Sequence, residues 1–448
     1  MSDRSGLYPF VTMTRWLMRS RSKGPAREAL VVAILALSAL AASCSPKDTE
    51  SPTGPDDGEP TASPRLLQTF LPGSIGFYYD PPTLVGDAVY IGTSRGVEYT
   101  PGASNAFYKL SETLAKVWEF PLGNREVRGG ATLDGAGNIY FAVEEGRLRG
   151  TSNPSVLWLY SLDPNGLLRW TRMIRRVLPM YGMDNPAIAT DNTIYIGGDK
   201  LYAFDANGTI RWSYASSPAS MLILNAPIID PEGNLYFSSL NWIVSLTPSG
   251  SERWIVTTRG EYFSSPAFST DYSKVFVAVE DTVYSLQTSN GSRVWAFSPP
   301  GMVGVFRATP AVDDADNVYL GTKADTSSVF YAIRSDGAGL RWQNPIRADL
   351  YSSPAIGTDR TLYVGAEGAK LYALDLDTGV EKWSATLLAD VTWSSPAISS
   401  NGTLYIGSMD VEGTGAGLYA FRTDAAGLLH GAGSPRFHAG NANTGRRP

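Results

Sequence analysis

One cysteine and two histidines in 448 residues remove several chemistries at once. A lone thiol, Cys44, cannot form an intrachain disulfide. His430 and His438 both lie near the C-terminus and leave no histidine for a catalytic triad or a His-rich metal site inside the body of the chain. Charged residues make up 18% of the sequence, and acids outnumber bases by six. After residue 43 that excess rises to ten, a poor match for a phosphate backbone, so nucleic acid is not an expected partner. The longest uncharged apolar run, Ala29 to Ala42, is too short to cross a bilayer comfortably.

What the chain does have is a repeat. Ser352 to Trp383 contains four short runs of apolar, β-branched or aromatic residues, separated by Gly, Asp and Thr turns, and altered copies follow one another from about residue 80 onward. The closing tryptophan returns at Trp118, Trp170, Trp212, Trp254, Trp295, Trp342 and Trp383, at spacings of 52, 42, 42, 41, 47 and 41 residues. A Pro-Ala opening returns with it, as at Pro186-Ala187, Pro266-Ala267, Pro310-Ala311, Pro354-Ala355 and Pro396-Ala397. Four strands per period of about 42 residues predict the blades of a β-propeller. Openings and closings count to eight, and the last unit lacks its closing strand. Leu66 to Pro72 resembles the closing strands of other units, which predicts a ring latched by its own N-terminal strand.

The third-strand Leu-Tyr-Ala quartet, the Asp-x-x-Thr-Gly turn of Asp375 to Gly379, and the Trp a few residues later resemble the pyrroloquinoline-quinone-like, or quinoprotein, propeller repeat. The resemblance implies an all-β, eight-bladed propeller of four-stranded antiparallel blades. It also implies that the seven tryptophans are docking residues between blades, each lying over a turn Gly and a small residue. Enzymes sharing the repeat carry an adjacent pair of cysteines over the quinone and a calcium ion. The disulfide is impossible here, and Asp313-Asp314-Asp316-Asn317 reads as a first-hairpin turn, with a calcium site as the alternative.

The chain divides into residues 1–43 as a signal peptide, 44–64 as a disordered tether, 65–430 as the propeller and 431–448 as a tail. Arg19, Arg21, Lys23 and Arg27 precede the apolar run, and Leu40-Ala41-Ala42-Ser43-Cys44 resembles a bacterial lipobox, which makes Cys44 the expected lipidation site. The following stretch, rich in Pro, Ser, Thr and acid, has no apolar periodicity. The tail segment Pro435-Arg436-Phe437 through Asn443-Thr444-Gly445 resembles one that flanks such propellers and is expected to pack across one face.

Residues just before the openings vary where the scaffold does not require it: Tyr262, Phe263, Phe306, Arg307, Tyr351 and Trp393. They are expected to rim the central channel, either as a binding platform or as a plug of its mouth. No catalytic, cofactor or metal residues are assigned. Signal and blade number together are similar to the propeller lipoprotein of the outer-membrane β-barrel assembly machine. The expectation is therefore a monomeric, non-catalytic scaffold, lipid-anchored at the outer membrane and facing envelope protein partners. A quinone-dependent oxidoreductase and a carbohydrate-binding surface protein are the alternatives.

Overall fold

The computed structural model describes residues 64–447, apart from 74–75, 78–79, 95–103, 147–154, 178–183, 216–224, 240, 261–263, 325–326 and 410–415. Its eight antiparallel sheets follow one another in chain order as the blades of a propeller. Blade 7 shows the plan, with strands Ala355–Ile356, Thr361–Ala366, Lys370–Asp375 and Glu381–Thr386 running from the axis outward. Its central strands alternate so that Tyr363 and Leu371 face one neighbour while Leu362, Val364 and Leu374 face the other. Eight buried clusters result, one for each seam between adjacent blades.

The ring closes as the repeat count predicts. Arg65–Phe70 pairs with Leu418–Arg422 as the outer strand of blade 8, and Phe70 reaches blade 1, where its ring lies 5.1 Å from that of Tyr108. Gln68 stands opposite Ala420, the register at which Trp383 opposes Ala373 in blade 7.

Six seams carry one device. The indoles of Trp118, Trp170, Trp212, Trp254, Trp295 and Trp342 each cover a turn glycine of the next blade, and each Nε1 donates to a carbonyl of that turn at 2.9–3.3 Å. At Gly379 the reason for glycine is twofold: φ is +73°, and a Cβ would stand 2.4 Å from the Trp342 ring. Trp383 differs. Blade 8 takes its outer strand from the N-terminus and so has no such turn, and among the described residues no glycine lies under the Trp383 indole. Like Trp118, Trp170, Trp212 and Trp295 it is partly buried, here against the blade 7–8 cluster and 5.7 Å from the Tyr363 ring, whereas Trp342 is buried. Trp342→Ala is therefore expected to cost about 3–5 kcal/mol, and Trp383→Ala clearly less. Equal losses in chemical denaturation would contradict this account of the seams.

Candidate functional site

In each blade the chain passes from the outer strand to the innermost strand of the next blade, and these crossovers share one face of the ring with the hairpins between second and third strands. We call this face the mouth; the other face carries the remaining hairpins. The Ser-Pro openings lie just inside the mouth and have a structural reason. Ser265 N donates to Thr309 Oγ1 (3.1 Å), Thr309 N to Ser353 Oγ (3.0 Å), and Ser353 N to Ser395 Oγ (3.1 Å), so a belt of hydrogen bonds ties blades 5 to 8. Gly130 N makes the corresponding bond to Asn185 Oδ1 (2.8 Å) between blades 2 and 3.

Below the belt the channel is filled by the C-terminal segment. An innermost strand has one edge without a neighbour, and its N–H groups need acceptors. Leu84, Ile188, Ile229, Val312 and Ile356 donate to the carbonyls of Asn441, Thr444, Gly445, Ser434 and Pro435 at 2.7–3.0 Å. Phe268 donates to Ser434 Oγ and Ile398 to Asn441 Oδ1. Seven of the eight innermost strands thus bind the same segment, which reaches the remaining one, in blade 2, through Asn443, packed where a Cβ on Gly130 would stand. Contacts begin before the expected tail boundary: Ala425 belongs to the blade 7–8 cluster, Ala426 N donates to Thr358 Oγ1, and Thr358 N donates to the Gly427 carbonyl.

The apex of this plug is Arg436-Phe437-His438. Arg436 is wholly buried and donates to the carbonyls of Pro396 and Gly440 and to Asn443 Oδ1 at 2.9–3.0 Å. Burial pulls its pKa down to about 9, which leaves it charged at neutral pH. His438 was expected outside the ring; the structure places it inside, buried, with Nε2 2.8 Å from the Pro227 carbonyl. A short loop that runs along free strand edges leaves no side-chain periodicity in the sequence, which is why that expectation failed.

Burial pulls the His438 pKa down to about 4. Between that value and about 6.5 the unfolded chain binds one more proton than the folded one, so the contribution of His438 is full above pH 6.5 and is lost as pH falls toward 4, by up to about 3 kcal/mol. His438→Asn, which tolerates the local φ of +57°, should flatten the fall of stability with acidity. Urea denaturation between pH 7.5 and 4.5 reads this; the same slope in both proteins would contradict it.

The candidate rim residues separate into three groups. Tyr262 and Phe263 lie outside the described residues. Phe306 is not at the rim: it is buried between blades 5 and 6, with its ring 6.1 Å from that of Tyr331. Arg307, Tyr351 and Trp393 stand three residues before their opening prolines. Trp393 is 7% exposed and forms one cluster with Ala226 and Phe437, and Tyr351 packs partly buried against it, 5.1 Å from its ring. The aromatic pair therefore caps the plug, with Tyr351 as its half-exposed member, and Arg307 is half exposed at the corresponding position of blade 6.

Alignment of the openings would have added a residue that sequence reasoning missed. Arg128-Gly129-Gly130-Ala131 occupies the register of Tyr351-Ser352-Ser353-Pro354. Arg128 is buried at the blade 2–3 side of the mouth, with Nε 3.3 Å from Glu144 Oε2 and 3.8 Å from Asp184 Oδ2. In blade 1, burial pushes the Asp80 carboxyl well above the usual range. The acidic run at Asp313 is a turn: its carboxylate accepts from the backbone of Ala315 and Asn317, from Asn317 Nδ2 and from the Tyr319 hydroxyl at 2.8–2.9 Å. Arg341 then donates to that hydroxyl, and Asp134-Tyr140-Arg169 and Asp230-Tyr236-Arg253 repeat the arrangement. Cys44 lies outside the described residues.

Comparison with known proteins gives the fold its relatives. The family model described as outer membrane protein assembly factor BamB matches residues 231–354 and 279–423. Among solved structures the chain is similar to BamB from Moraxella catarrhalis, at 15% identity and TM-score 0.58, covering 81% of this chain and 98% of that one. It is also similar to a europium-containing methanol dehydrogenase, at 12% and 0.62, covering 80% and 93%. A quinohemoprotein alcohol dehydrogenase from Pseudomonas putida aligns at 12% and 0.59, covering 82% and 77%. No curated protein matches significantly. At such identities the likeness to structures is one of fold, and the chain is a pyrroloquinoline-quinone-like propeller that resembles BamB.

Proposed function

We propose that this chain is a non-catalytic propeller, lipid-anchored through Cys44 at the outer membrane, that serves as a protein-interaction scaffold of the bacterial envelope. Residues 1–43 act as the signal, 44–64 as the tether and 65–430 as the ring, completed by the segment that follows. An assembly role like the one in BamB's description rests on the resemblance alone.

The observation that carries the reading is the filled channel. The dehydrogenases with this fold imply a quinone, and the residues inside the channel do not fit one. Phe437, Trp393 and Ala226 are packed together there as core, and Arg436 and His438 already have carbonyl partners. The Asp313 carboxylate, the sequence's candidate calcium ligand, is engaged by its own turn. What remains for recognition is the mouth, where Arg307 and Tyr351 are half exposed on a chain otherwise acidic. An aromatic and a guanidinium on one face favour a protein surface. Photo-crosslinking from position 351 in the native membrane tests the reading.

A further inference from the structure

The seam between blades 7 and 8, like that between blades 8 and 1, lacks the tryptophan–glycine device, because blade 8 takes its outer strand from elsewhere in the chain. A groove of about 410 Å³ runs along it, lined among others by Pro64, Leu66, Leu387, Leu388, Tyr419 and Phe421. Neither a docking tryptophan nor a turn glycine fills it. Around it Leu66 is 50% exposed, Leu71 56% and Leu388 61%.

Two further observations say what the patch meets. Pro64, the first described residue, lines the groove, so the stretch that links the ring to Cys44 joins it here. Only 20 positions lie from Cys44 to Pro64, a reach of at most about 70 Å when fully extended. One basic group stands at the patch on an acidic molecule: Lys370 donates to Thr386 on the groove wall.

We propose that this seam is a membrane-docking surface: its leucines enter the interface of a phospholipid bilayer, and Lys370 meets anionic headgroups. The surface fixes which edge of the propeller faces the lipid and so turns the mouth sideways to it. The inference deepens the lipid-anchored reading and rests on it.

The test uses the full lipidated chain in vesicles of phosphatidylethanolamine and phosphatidylglycerol. An environment-sensitive fluorophore is attached to a single cysteine introduced by Leu388→Cys or, in blade 3, by Ile210→Cys. Brominated acyl chains are expected to quench the probe at 388 several-fold more than the probe at 210, and Leu66→Asp should abolish that contrast without lowering the melting temperature. Equal quenching, or none, in protein that floats with the vesicles overturns the proposal, as does protection of position 388 in native membranes but not in protein-free vesicles, which assigns the groove to a protein. Failure of the anchor itself is read separately: the wild type would float no better than Cys44→Ser. Unanchored protein whose probe at 388 is still quenched above that at 210 supports the surface, and protein that does not associate at all overturns both readings.

Discussion

A chain ending at residue 426 is expected to lose most of its stability and to unfold without a sharp transition. Seven innermost strands would lose an acceptor, Trp393 and Ala226 would lose Phe437, and the channel would fill with water. Net hydrogen bonds contribute about 1 kcal/mol each and a buried phenylalanine about 3–5, which together rival the 5–15 kcal/mol of a whole domain. Because such a chain can simply fail to fold, a milder change sharpens the test. Arg436→Met leaves the Pro396 and Gly440 carbonyls and Asn443 Oδ1 without their donor inside the channel and should cost about 3 kcal/mol or more. The peptide 427–448 added in trans should restore a cooperative melt to the shortened chain. A shortened chain as stable as the full one would mean that the plug is an ornament of the ring.

The second large effect concerns the latch. A chain beginning at residue 74 is expected to melt well below one beginning at residue 46, by about 3–5 kcal/mol, since it loses the ladder to Leu418–Arg422 and the burial of Phe70 against Tyr108. It should also aggregate, because Leu418–Arg422 would become an open edge. Indistinguishable melting temperatures would show that the ring closes without its N-terminal strand.

The sequence carried the ring because propeller packing repeats: the tryptophan period, the Leu-Tyr-Ala strands and the turn glycines each recur in register, and each recurs for one packing reason. The latch was legible by likeness to Trp118-Glu119-Phe120-Pro121, even though Gln68 replaces the indole. What repetition could not reveal lies where the ring departs from itself. Trp383 looks like its six counterparts, but the turn it would cover does not exist in a blade assembled from both ends of the chain. Phe306 and Arg307 are neighbours in sequence, yet alternation sends the first between blades and the second to the mouth. The plug was hidden because its bonds run largely through main-chain carbonyls, and Arg436, which in isolation reads as a surface residue, is held by oxygen atoms alone.

The central claim is that the channel is closed and that recognition occurs at the mouth. The most direct measurement is photo-crosslinking in the native membrane from positions 307 and 351, compared with position 380 on the opposite face, where Val380 is 64% exposed. The account predicts a discrete protein adduct from 307 and 351, none from 380, and no quinone absorbance in the purified chain after incubation with quinone and calcium. Absence of adducts at the mouth together with stoichiometric quinone binding would contradict it and would require the C-terminal segment to leave the channel.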